Sequence, residues 1–267
     1  MTTHTDSRAR HLPQTSPERA RTCLTTEYAA LQRAVDTLTP DEWARPTDCT
    51  GWTVRHMVAH LAGAAHCTAH RPTMLRTYAY AGRKAGKNPA AAVDYITHAQ
   101  IEARAAMTDS QVAEDLRHWV GLAPGRLAGF PGFLRRLPLP AALDLVRGAR
   151  VSYFLDVISS RDVWMHRVDL TRALGSTREV TAAEPEVVAQ VIRDLDTEWG
   201  GPAVRLTLTG PGGGTWRLGG GDPVARVRED AVAYLRLLSG RSDECELEVT
   251  EGDPAAADSL RAARVVF

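Results

Sequence analysis

No run of about eighteen apolar residues, the length a helix needs to cross a bilayer, occurs in this chain of 267 residues. A membrane-spanning role is therefore not expected. The opening stretch MTTHTDSRARHLPQTSP has no apolar segment either, so it does not read as a secretory signal. Its polar composition predicts a disordered tail over residues 1–15. Cysteine is scarce: Cys23, Cys49, Cys67 and Cys245 are the four, none in a C-x-x-C pair or at zinc-ribbon spacing. Scattered in this way they read as reduced, mostly buried thiols of a cytoplasmic protein. Net charge is absent as well. Thirty-two basic side chains balance 32 acidic ones, which offers no basic face for a nucleic-acid partner. Lysine is confined to Lys84 and Lys87, so nearly all the cations are arginines. Together with heavy alanine use, this points to a GC-rich genome such as that of an actinobacterium.

What is present is helical over the first two thirds. Ser16-Pro17 is an N-cap followed by proline at the first helical position. Cys23, Leu24, Tyr28, Leu31, Val35 and Leu38 then recur at helical spacing. "TPDE" at 39–42 is a capping-box pattern. A second helix is predicted from Thr53 through Arg83, and further helices over 90–107 and 110–130. A long helix is predicted from Val151 to Leu174, closed by Gly175 as C-cap. Beyond Gly175 the texture changes. "TAAE" at 181–184 predicts a capped helix, and "AVRLTLTG", "TWRLGG", "ARVRED", "ECELEVTEG" and "RVVF" predict strands. The expected organisation is an α bundle over 16–178 and a smaller α+β domain over 179–267. The glycines of "PGGGTWRLGGGDP" lack the lysine and the strand-to-helix context of a phosphate loop and read as a hairpin turn.

Four of the nine histidines, His56, His60, His66 and His70, fall on the second predicted helix. His60 sits in its most apolar part, where a histidine is usually a hydrogen-bonded core residue and less often a metal ligand. The stretch "DVWMHRVDL" (162–170) places Asp162 and His166 four residues apart, on one helix face. Such a pair is either an ordinary ion pair or a set converging on one cation. Two histidines and a carboxylate leave coordination positions open, which is a catalytic type of site. Asp169 follows His166 by three residues and can orient it from the outer shell. Arg161 can pair with either aspartate. A structural network is the alternative for both.

"CTGWTVRHMVAHLAG" (49–63) and "RDVWMHRVDLTRALG" (161–175) resemble the two signatures of the mycothiol-dependent maleylpyruvate isomerase family. "TGPGGGTWRLG", "AYLRLLSGR" and "VTEGDPAAA" resemble its C-terminal part. The resemblance implies a DinB-like four-helix bundle followed by a sterol-carrier-like α+β domain. It implies that His60, Asp162 and His166 hold a divalent metal, usually zinc. Two departures stand out. The family usually has glutamate where this chain has Asp162, a side chain reaching about 1.5 Å less far, one helical rise in scale. It often has aspartate where this chain has His56, which offers a possible extra ligand. Arg241 aligns with a family Gly-Arg motif and is the candidate cationic clamp for a substrate or cofactor carboxylate or amide, with a helix-terminal arginine as the plainer reading.

The function implied is a metal-dependent enzyme. It would activate mycothiol for attack on an electrophilic small molecule, as cis-trans isomerase or thiol S-transferase. A non-catalytic protein that binds a metal or an apolar ligand is the alternative, and either a monomer or a homodimer is compatible.

Overall fold

The computed structural model describes residues 8–86, 88–139, 148–241 and 245–267. The chain divides into two compact units. Residues 16–181 form one, and 182–267 form the other together with the residues before 16.

The first unit is helical. Helix α1 (Pro17–Asp36) opens at Ser16, whose hydroxyl accepts from the Arg19 N–H at 3.2 Å. Helix α2 (Val54–Ala69) opens with a capping box: the Thr53 hydroxyl accepts from the His56 N–H, and His56 Nδ1 accepts from the Thr53 N–H at 3.1 Å. The helix predicted as continuous through Arg83 instead breaks at His70. Pro72 supplies no N–H to continue the ladder, His70 is extended (φ −128°, ψ 97°), and α3 (Arg71–Ala85) starts afresh with the proline in its first turn. Helices α4 (Pro89–Glu102) and α5 (Asp109–Ala128) follow.

The predicted helix over 151–174 is not uniform. A turn at Val151–Tyr153 runs into a π-helical stretch, Phe154–Ile158, before α6 (Ser159–Leu174). π-Helical turns are frequent beside functional sites. Gly175 ends α6 in the left-handed conformation (φ 63°) that the sequence assigned to it. Helices α1, α2, α5 and α6 enclose one apolar core that includes Leu24, Leu31, Met57, Leu61, Leu116, Leu127, Val163 and Leu170. Helices α3 and α4 form a hairpin outside that bundle, packed against α2.

The second unit is α+β. Strands β1 (Val204–Thr209), β2 (Gly214–Leu218), β3 (Ala225–Asp230) and β4 (Glu248–Gly252) form a sheet in the order β2-β1-β3-β4. The β1–β2 and β3–β4 pairs are antiparallel, and β1–β3 is parallel. Helices α7 (Glu184–Thr197), α8 (Ala231–Leu238) and α9 (Ala256–Ala262) complete it. Gly210 and Gly212, at φ 81° and 74°, make the β1–β2 turn, so the glycine-rich segment is a hairpin turn.

Three expectations fail here for physical reasons. Residues 8–15 do not form a disordered tail. Ala9–His11 is a 3-10 turn, and the buried Asp196 accepts from the Arg8 guanidinium at 2.8 Å and from the Arg10 and Gly219 N–H groups. Residues 1–7 lie outside the described residues. "TAAE" does not cap α7, because the Thr181 hydroxyl donates to Glu27 instead. "RVVF" is not a strand; the Val265 N–H bonds the carbonyl of Leu238, the last residue of α8, at 3.0 Å.

Candidate metal centre

The site is built where α2 and α6 face each other within the first unit. His60 lies on the face of α2 that carries Met57 and Leu61 into the core, and only 5% of it is exposed. Asp162 and His166 stand one turn apart on α6, so their side chains meet: His166 Nε2 is 3.4 Å from Asp162 Oδ1. The other carboxylate oxygen, Oδ2, lies 3.5 Å from His60 Nε2. The imidazole centroids are 5.0 Å apart, edge to face. Two ligands of a tetrahedral ion with bonds of about 2.0 Å lie about 3.3 Å apart. The two nitrogen–carboxylate distances lie near that figure, and one donor atom from each of the three residues lies within 4.8 Å of the others.

Each histidine is held from behind. His60 Nδ1 donates to Gln100 Oε1 at 2.8 Å. His166 Nδ1 lies 3.3 Å from Asp169 Oδ2, and Asp169 is fully buried. Cys49, in the turn before α2, puts its sulfur 3.5 Å from the same carboxylate oxygen and 3.8 Å from His166 Nδ1. The Trp52 ring stacks on His166 at 5.8 Å and lies 5.3 Å from His60. The backs of both rings are thus engaged, and both Nε2 atoms turn toward the Asp162 carboxylate. His60 Nε2 is buried and makes no hydrogen bond. A buried polar atom without a hydrogen bond costs free energy, and a cation held between this nitrogen and the carboxylate 3.5 Å away would remove that cost. The donor set, two imidazoles and a carboxylate, suits zinc and other borderline divalent ions. By this test the residues present fit a metal.

The electrostatics agree. Burial works against the charged form of Asp162, yet His60 and His166 beside it hold its carboxyl well below the usual carboxylate range. Burial likewise disfavours the His166 imidazolium, and Asp162, Asp169 and Cys49 together hold its pKa well above the ordinary histidine value. The Asp162 side chain is 23% exposed, against 6% and 7% for the two histidines. The ligand cluster therefore opens on the aspartate side, where a further ligand can enter. The phenol pKa values of Tyr28 and Tyr78 are pushed up by burial, with the Asp162 charge adding to it, so both keep their protons near the site.

The remaining candidates fall as follows. Arg161 is buried and donates from Nη1 to the Tyr153 hydroxyl at 3.4 Å. His56 is occupied by the α2 capping box. His66 stacks on Trp119 at 3.8 Å, where burial lowers its pKa to about 4. His70 ends α2. Arg241 belongs to the second unit, just past α8, where Gly240 (φ 76°) lets the Arg241 N–H bond the Arg236 carbonyl at 3.0 Å. Gln100 and Cys49 were missed in the sequence, since each comes from an element with no fixed spacing to the ligands. Among the described residues no helix is long and apolar enough to cross a membrane.

A family model described as the mycothiol maleylpyruvate isomerase N-terminal domain matches residues 24–171. That match contains all three ligand candidates. Two uncharacterized proteins of Mycobacterium tuberculosis, from strains CDC 1551 and H37Rv, are each 26% identical over 242 residues, covering 85% of this chain and 86% of theirs. The fold is similar to a crystal structure of the mycothiol-dependent maleylpyruvate isomerase, with a TM-score of 0.57 at 16% identity, over 94% of this chain and 98% of that one. A histidine-to-alanine mutant of that isomerase gives a TM-score of 0.56. At that identity the likeness speaks for the fold alone.

Proposed function

The chain belongs to the family of the mycothiol maleylpyruvate isomerase N-terminal domain, and from that premise we propose that it is a metal-dependent, mycothiol-using enzyme acting on an electrophilic small molecule. His60, Asp162 and His166 hold one divalent ion, zinc by the chemistry of the set. The observation that carries this reading is the buried His60 Nε2, without a hydrogen bond, facing a carboxylate that His166 Nε2 also faces. With metal and thiol bound, the site has a sulfur nucleophile at neutral pH, able to add reversibly to an alkene conjugated to a carbonyl (isomerisation) or to stay on the electrophile (S-transfer).

The protein's own groups do the positioning. Asp169, with Cys49 beside it, fixes the His166 ring so that Nε2 faces inward. Arg161 braces α6 through Tyr153. Trp52 covers both imidazoles and keeps water from that side. Arg241 is assigned the carboxylate or amide clamp for thiol or substrate. The enzyme works in the cytoplasm.

The test is turnover of activated alkenes and alkyl electrophiles by zinc-loaded and metal-stripped protein, with and without mycothiol. Turnover that needs both metal and thiol supports the reading. Zinc-loaded protein that binds metal but never consumes thiol or isomerises an alkene would leave a binding protein in its place.

A further inference from the structure

The His60 side of the site depends on a residue from outside the four-helix bundle. Gln100 lies on α4, in the accessory hairpin, and is 5% exposed. Its Oε1 is 2.8 Å from His60 Nδ1, and its Nε2 faces the Cys67 sulfur at 3.9 Å. The amide is therefore oriented with its oxygen toward the imidazole. An oxygen can only accept, so a proton belongs on Nδ1, which leaves Nε2 as the nitrogen that can offer a lone pair to a metal.

Two further features hold Gln100 there. Gly63 is three residues beyond His60 on the same face of α2. A Cβ at that position would lie 2.4 Å from Gln100 Cβ and 3.1 Å from its Cα, so only glycine lets α4 come this close. Buried Arg104 donates to the Gln100 carbonyl at 3.0 Å and to Asp115 on α5 at 2.7 Å, which ties the end of α4 to the bundle.

We infer that Gln100 is a positioning residue that selects the Nδ1–H tautomer of His60, and that Gly63 is the clearance which lets it do so. The inference rests on the reading of His60 as a ligand only for its consequence, not for the tautomer itself. A neutral amide in this place orients the ligand without adding charge, in contrast to Asp169 behind His166. The two ligand histidines are then supported in different ways. One is set by a carboxylate on its own helix, and the other by an amide on a helix that must dock first.

The experiment has two readouts. The first is the tautomer of His60 in metal-stripped protein, from long-range proton–nitrogen NMR assigned with His60→Asn. The second is zinc affinity from competition with a chelating dye. The wild type is expected to carry the proton on Nδ1. Gln100→Leu is expected to lose that preference and to weaken zinc by about 10–100-fold, while Gln100→Glu, which still accepts from Nδ1–H, stays within about threefold. Gly63→Ala, which displaces Gln100 without touching a ligand, is expected to follow Gln100→Leu. A wild-type Nδ1 without a proton, or equal loss of affinity in Gln100→Leu and Gln100→Glu, would overturn the inference. If a variant does not fold, the wild-type tautomer alone decides. If wild-type protein binds no metal, the proposed function fails and the tautomer still decides the role of Gln100.

Discussion

Two buried polar clusters lie in the same helical unit, and they are built to opposite specifications. In the first, Glu27 on α1 takes the Arg167 guanidinium at 2.5 Å on one oxygen and the Thr181 hydroxyl on the other, while Arg167 also donates to the Glu179 carbonyl at 2.7 Å. Charge meets charge, and each oxygen of Glu27 has a donor. In the second, His60 and His166 stand 3.5 and 3.4 Å from the Asp162 carboxylate, His60 Nε2 has no hydrogen bond, and the carboxylate faces partly outward. The difference shows that burial of polar groups does not by itself mark a site. Metal-ligating groups that converge with one nitrogen left out of any hydrogen bond are a better sign, because a cation among them would satisfy them together.

The comparison can be broken at several points. The largest effect is expected in the satisfied cluster. Glu27→Ala leaves Arg167 buried without its charge partner and is expected to cost about 3–5 kcal/mol in denaturant unfolding. Metal content per folded chain should not change. A loss below about 1 kcal/mol would mean that this pair is not the closed structural network described here.

A third satisfied cluster, around Asp196 in the second unit, gives the next largest effect. Asp196→Ala removes the acceptor of Arg8 and of the Arg10 and Gly219 N–H groups, at an expected cost of about 1–3 kcal/mol. Burial raises the pKa of Asp196, but its three donors win and hold it below 3.8. The sign follows from linkage. The stabilisation is present above the unfolded value near 3.8 and is lost as the pH falls through the folded value, so the difference between wild type and variant should shrink on acidification. A difference independent of pH from neutrality down to the acid transition would contradict the assignment of the charged form.

The smallest effect is expected from Asp162→Glu. The carboxylate already reaches both imidazoles, so an added methylene should change zinc affinity by less than about tenfold, or 1.4 kcal/mol. A much tighter site in the variant would show that aspartate is the weak point of the set.

The legibility of these clusters in the sequence differs in the same way. Asp162, His166 and Asp169 share one helix, so their spacing displayed their meeting before any fold was known. His60 was visible only as a polar residue in an apolar stretch, and its pairing with α6 came from family likeness and not from spacing. Gln100, Cys49 and the Glu27–Thr181 bond join elements 40 to 154 residues apart in the chain, and no local pattern encodes such contacts. The break before α3 was readable and was overlooked: Pro72 stands where a helix running through Arg83 cannot continue. "TAAE" had the form of a cap, but its threonine found a buried carboxylate, a tertiary partner that outweighed the local one.

Metal content by elemental mass spectrometry, on wild type and on His166→Ala, tests the central claim most directly. The account requires roughly one divalent ion per wild-type chain and none in the variant, with the helical circular-dichroism signal retained in both. A wild-type protein that stays empty after zinc is added, or a variant that keeps its metal, would contradict it.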